Sequence, residues 1–275
     1  MKSLLICPVC GLPLEREPKQ YVCQNGHCYD ISKQGYVNLL QSRQSSKKRH
    51  GDDGVMVQAR RSFLEKGYYA CLCNALCDGA LRYAKGNVNL LDAGCGEGYY
   101  TAAVAAGLTE HGFDCRAAGI DISKNAVAYA ARRQPAFEWA VAGVFAMPLA
   151  DKSVDMVMNV FAPLAAGEYR RVLKDDGILL RAVPRERHLM GLKEAIYDKA
   201  YENKPEDTAL EGFTLMEEVK VEDTLVLTDN ADIQALFMMT PYYYKTGRAD
   251  QEKLLHVSEL KTELSFSVLI YRKNG

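Results

Sequence analysis

The chain has 275 residues, of which 48% are hydrophobic and 25% charged, and a formal net charge of −1. That length suits one large α/β domain with a small appendage, and the composition excludes a disordered or collagen-like chain. No apolar run approaches the length of a membrane span, and a Cys-Pro-Val-Cys turn comes before any signal-peptide core can form. A cytoplasmic protein away from membranes is therefore expected.

The charge is unevenly placed. Residues 1–61 hold ten Lys or Arg against five acids, a local charge of +5 that leaves −6 for the rest. Such asymmetry points the N-terminal part at an anionic partner, the plain alternative being a solvated basic loop. Nine cysteines, four of them within the first 28 residues, do not form the pattern of a disulfide scaffold.

Cys7-Pro8-Val9-Cys10-Gly11 is a metal-binding knuckle, and Cys23-Gln24-Asn25-Gly26-His27-Cys28 supplies a second. Together they close a tetrahedral site, with Zn²⁺ favoured over iron. His27 and Cys28 compete for the fourth vertex. Cys7, Cys10, Cys23 and His27 are the favoured set. A module of residues 1–40 buries little core, so the metal is expected to supply much of its folding free energy, and chelation is expected to unfold it while the larger domain stands.

Residues 41–54 lack apolar periodicity and read as a basic connector, in which Arg43, Lys47, Lys48 and Arg49 could hold the anionic partner. From 55 to 83 the pattern is helical with a break near Gly67. Cys71, Cys73 and Cys77 make an incomplete metal site there and read as core.

The stretch from Asn87 to Thr101 carries the most chemistry: a buried strand ends in Asp92, turns through Gly94, Gly96 and Gly98, and enters a helix. Without a Gly-Lys-Ser/Thr ending it is no phosphate-binding P-loop. A second strand over 115–121 ends in Asp121, placed to accept the hydroxyls of a ribose. Further strands are expected over 137–142, 155–161, 176–184 and 264–272, with helices over 124–133 and 166–173. This alternation implies a parallel sheet with helices on both faces.

Asp-x-Gly-x-Gly-x-Gly resembles the first motif of class I S-adenosylmethionine-dependent methyltransferases more than a dinucleotide fingerprint. The resemblance implies a Rossmann-like, mostly parallel seven-stranded sheet over residues 86–275, behind connector and helices over 41–85. No Asn/Asp-Pro-Pro-Tyr/Phe signature of exocyclic-amine enzymes follows the fourth strand, and no nucleophilic cysteine lies near it. Asn159 and Phe161 sit where an acceptor base belongs, as a hydrogen-bond partner and a stacking surface.

Taken with Gly35-Tyr36-Val37-Asn38-Leu39-Leu40, Ala59-Arg60-Arg61-x-Phe63-Leu64, Arg187-His188-Leu189-Met190 and Met239-Thr240-Pro241, the motifs resemble the 23S ribosomal RNA guanine-N1 methyltransferase family over nearly the whole chain. The resemblance implies methyl transfer from S-adenosylmethionine to N1 of a guanine in a 23S rRNA hairpin, on naked rRNA or a ribosomal assembly intermediate. One branch of the family confers macrolide resistance. Carried over by position, the zinc ligands are Cys7, Cys10, Cys23 and His27, and the cofactor contacts are Tyr69, Gly96, Glu97 and His188. Tyr68 is the alternative to Tyr69, because Gly67-Tyr68-Tyr69 departs from the family's Gly-His-Tyr. The stretch 238–244 reads either as a gate or as a contact with a second subunit in a homodimer. Competing readings are a small-molecule methyltransferase of the same fold and a non-catalytic zinc and RNA-binding regulator.

Overall fold

The computed structural model describes residues 2–41 and 51–275. Arg43, Lys47, Lys48 and Arg49 therefore lie outside the described residues. Four short strands come first, β1 (Lys2–Ile6), β2 (Pro13–Arg16), β3 (Gln20–Cys23) and β4 (Cys28–Asp30), forming an antiparallel sheet in sequence order. After them β5 (Val37–Asn38) leaves that sheet and pairs in parallel with β8 (Glu138–Val141) of the large one.

The helices α1 (Gly54–Glu65) and α2 (Ala70–Tyr83) follow. Asp53 starts α1 by accepting hydrogen bonds from the amides of Val55 and Met56. Gly67, at φ +76°, makes the break between the two helices.

The large sheet runs β11-β12-β10-β9-β6-β7-β8-β5. Its parallel strands are β6 (Val88–Ala93), β7 (Cys115–Asp121), β8, β9 (Val154–Val160) and β10 (Leu173–Pro184), with β12 (Leu260–Lys273) antiparallel between β10 and β11 (Phe213–Leu227). Apart from β5, this is the expected seven-stranded arrangement. The eighth strand comes from the N-terminal module. Strand order reverses at β6, whose neighbours are β7 and β9, so a crevice opens beyond their carboxyl ends.

One face of the sheet is covered by α1, α2, α3 (Tyr99–Glu110), α6 (Met190–Ile196) and α7 (Asn230–Met238), around Phe63, Leu72, Leu76, Val104 and Leu236. The helix α4 (Lys124–Arg133) packs on Trp139 and Val141 of β8. On the opposite face α5 (Ala166–Val172) shares the work with the N-terminal module. There Leu4, Leu5, Leu14 and Val37 join one core with Leu91, Ala118, Ile120, Ala140 and Leu149. This shared core argues against the expectation of an independently folding module, because uncovering it would expose the apolar back of the central strands. Glu138 adds polar ties, accepting from the Leu4 amide and the Ser3 hydroxyl.

Candidate active site

The first glycine-rich turn is built by close packing. Asp92 ends inside the protein, and its Oδ2 accepts the Thr101 hydroxyl at 2.5 Å. Gly94 has φ +91°, and a Cβ there would overlap the Ala162 side chain, so the turn abuts the loop after β9. Gly98, at φ +79°, opens α3 with Ala130 and Trp139 pressed against it. Between them, the Gly96 amide donates to Asp121 Oδ2 at 3.0 Å, and Asp121 Oδ1 accepts the Ser123 amide at 2.7 Å. The carboxylate that ends β7 therefore holds the turn that follows β6.

Three carboxyls meet here with too few donors. Burial pushes Asp92 up to about 7, opposed by Thr101 and reinforced by Asp121 and Glu97. Burial also raises Glu97, against Arg133, and raises Asp121, against the Ser123 and Gly96 amides. Asp92 Oδ1 and Glu97 Oε1 are buried without a hydrogen-bond partner. Buried acceptors of that kind suit a cationic ligand, and S-adenosylmethionine carries a sulfonium and an ammonium. Burial raises the Cys95 thiol well above its ordinary value, which leaves it unreactive.

An aromatic group borders the turn. The ring of Phe266 lies 5.1 Å from Tyr69, 4.4 Å from His188 and 5.7 Å from Phe161. His188 is buried, and its Nδ1 accepts the Ser265 amide at 3.3 Å. Burial, helped by the Lys193 charge, lowers its pKa to about 3, so the ring is neutral with its proton on Nε2. Tyr69 thus joins His188, whereas Tyr68 turns away and donates to Asp232 on α7 at 2.6 Å.

Phe161 is 46% exposed and held at φ +54°, a strained conformation for a bulky residue. Asn159 is placed differently from the expectation. It is buried, and its amide donates to the carbonyls of Ala162 and Pro163 and to the Tyr169 hydroxyl. With its donors spent on the loop, it braces the turn that presents Phe161 instead of facing a base.

Sequence reasoning gave no role to Arg60. Its guanidinium pairs with Asp52, donates to the Met239 carbonyl at 3.3 Å, and is the nearest group, at 3.9 Å, to the space a Gly96 side chain would take. The 238–244 stretch therefore reaches the site through Met239, and Tyr244 also hydrogen-bonds Asp53.

In the N-terminal module Cys7, Cys10, Cys23 and His27 place their ligand atoms within 4.8 Å of one another, the single such group among the described residues. Cys28 is exposed and its thiol meets the Gly26 carbonyl, which leaves the fourth vertex to His27. Burial opposes ionising Cys7, but the Tyr29 hydroxyl at 3.1 Å and backbone amides outweigh it and bring the thiol down to about 6. Three sulfurs and one imidazole, one already inclined to thiolate, fit Zn²⁺.

Residues 5–48 match the zinc-ribbon family described as RlmA, N-terminal, and residues 84–254 match the family described as Methyltransferase domain. A 23S rRNA (guanine(748)-N(1))-methyltransferase from Streptomyces fradiae is 38% identical over 195 residues, spanning 70% of this chain and 67% of that protein. The chain belongs to the 23S rRNA (guanine-N1)-methyltransferase family. Two further members, provisionally named for the same activity, come from Micromonospora griseorubida, at 37% identity over 70% of this chain and 69% of that one, and from Bacillus subtilis strain 168, at 32% over 77% and 76%. Membership brings S-adenosylmethionine and zinc as cofactors; the acid-lined turn has buried acceptors suited to the first, and the thiol-imidazole cluster has donors suited to the second. No helix among the described residues is long and apolar enough to cross a membrane.

Proposed function

We propose that this methyltransferase transfers a methyl group from S-adenosylmethionine to N1 of a guanine in a hairpin loop of 23S rRNA. The observation that carries the reading is the trio Asp92, Glu97 and Asp121 around one glycine-rich turn, two of them with a buried oxygen lacking a donor. The bound cofactor supplies an electrophilic methyl on a sulfonium.

Every other contribution is made by the chain. Asp92 and Glu97 offer acceptors to the cofactor's ammonium, and Asp121 is near enough to the turn to share its oxygens with a ribose. Tyr69, His188 and Phe266 form a wall that excludes water from an in-line displacement. His188, protonated on Nε2, is a hydrogen-bond donor and not the base that removes the guanine proton. The exposed Phe161 ring is a surface on which an unpaired base stacks.

The basic connector with Arg43, Lys47, Lys48 and Arg49 supplies charge for RNA phosphates in this reading. An rRNA substrate, free or within an assembling particle, places the enzyme in the cytoplasm. The test is tritiated-methyl transfer to total rRNA from a strain lacking the enzyme, followed by mapping of reverse-transcription arrest. A stop at one guanine of a large-subunit hairpin is expected, and it also assigns the branch. Absence of label in both rRNA and ribosomal precursor particles would overturn the reading.

A further inference from the structure

The ammonium of an amino-acid cofactor has its acceptors at Asp92 and Glu97, but its carboxylate needs a cation. Two guanidiniums stand at the turn. Arg133 is committed, with its Nε on the Glu97 carbonyl and an NH2 on Glu65, both at 3.2 Å, and its charge over the Tyr99 ring. Arg60 instead reaches the open side of Gly96, where no other atom lies within 4 Å of the added Cβ. Its NH1 is taken by a carboxylate of the chain itself, that of Asp52, while its NH2 donates to the Met239 carbonyl at 3.3 Å.

Asp52 is delivered there by a strap that crosses the end of β7. Gly51 packs so closely on Ile122 that a Cβ would come within 2.7 Å of it, and the Asp52 carbonyl accepts the Ser123 hydroxyl at 2.7 Å. Asp53, next in sequence, caps α1, the helix that carries Arg60. Ser123 itself follows Asp121, so the strap, the Gly96 turn and Arg60 form one contiguous group.

We propose that the Arg60 guanidinium receives the α-carboxylate of S-adenosylmethionine, and that Asp52 is a built-in placeholder which competes with that carboxylate for the same fork. This rests on the cofactor reading given above. Because Arg60 and Asp52 keep 27% and 28% of their side-chain surface exposed, the pair is partly screened and an incoming carboxylate can displace it. A guanidinium presents several donors in one plane, so the carboxylate of the cofactor can take the place that Asp52 holds at NH1.

The test compares S-adenosylhomocysteine with 5′-methylthioadenosine, which keeps the nucleoside and thioether but has neither ammonium nor carboxylate, by calorimetry on the zinc-loaded full chain. Decarboxylated S-adenosylhomocysteine, which retains the ammonium, isolates the carboxylate. Arg60→Ala should weaken S-adenosylhomocysteine on the order of tenfold or more, as a charged hydrogen bond does, and leave both carboxylate-free ligands within about twofold. Asp52→Asn should tighten S-adenosylhomocysteine by roughly threefold, the scale of a part-exposed ion pair, again without effect on the other two.

Equal losses for all three ligands in Arg60→Ala, or no gain in Asp52→Asn, would overturn the proposal. So would an Arg60→Ala variant that binds S-adenosylhomocysteine normally but loses rRNA affinity, since the fork would then serve a phosphate. If Arg60→Ala does not fold, Asp52→Asn and Arg60→Lys carry the comparison. Wild-type protein that binds none of the three ligands would defeat the cofactor reading itself, a result distinct from failure of the carboxylate assignment.

Discussion

Thr101 gives its hydroxyl to one oxygen of Asp92 and leaves the other oxygen buried with no donor. The carboxyl consequently holds its proton to about 7, against an ordinary value of 3.8. Between those two pH values the folded, cofactor-free enzyme carries a proton that the unfolded chain has released, so Asp92 lowers stability as pH rises through that window. A cofactor ammonium favours the charged carboxylate and reverses the preference. Affinity for S-adenosylhomocysteine should rise with pH by up to about tenfold per unit below 7 and level off above it. Calorimetry from pH 5.5 to 8 checks this; Asp92→Asn should flatten the profile, and a wild-type profile without slope would refute it.

Phe161 combines a strained backbone with an exposed ring, so stability and activity should separate there. Phe161→Gly relieves the left-handed conformation and should leave thermal stability unchanged or higher. Its rRNA methylation should fall on the order of tenfold or more through lost stacking, while Phe161→Trp retains it. Retained methylation in the glycine variant would remove Phe161 from substrate binding.

Neighbouring tyrosines with different partners provide a control for the cofactor wall. Tyr68→Phe removes the hydrogen bond to Asp232 and should cost about 1 kcal/mol of stability with unaltered S-adenosylhomocysteine binding. Tyr69→Ala, which opens a gap between Phe63, His188 and Phe266, should weaken that binding severalfold. Reversed effects on binding would exchange the two assignments.

The core shared by Leu4, Leu5 and Val37 with Ile120 and Ala140 links the zinc site to the catalytic domain. Trp139, the one tryptophan, lies buried under α4 on the strand that pairs with the module, in a cluster that includes Tyr36, and so reports on the junction of the two parts. Chelation should therefore lower the unfolding midpoint seen by its fluorescence. An unchanged midpoint after verified zinc removal would show that the two parts fold separately.

Much of the fold is legible because its strands are short apolar runs ending in Ala93, Asp121 and Val160. The strand β11 escaped because its sequence, with Glu217, Glu218, Lys220, Glu222 and Asp223, is that of a solvated edge and offers little apolar alternation. Spacing admits both His27 and Cys28 as the fourth ligand, with His27 favoured; the chain direction after Gly26 turns His27 toward the other three and Cys28 out. Asn159 was misplaced since a strand-end amide looks the same whether it faces a base or its own loop. The pairing of Arg60 with Asp52 brings together residues whose partners at Gly96 and Met239 are far away in the chain, and no local pattern encodes it.

The two ends of the large sheet are protected by different means. On β11 the outer edge is guarded by charge, whereas β8 is apolar in its last three residues, Trp139, Ala140 and Val141, and is closed by pairing with Val37 and Asn38. An uncovered edge of that kind is a template for association with other chains. The zinc module thus acts as a stopper on the sheet, and loss of zinc is expected to free this edge for self-association of the chain.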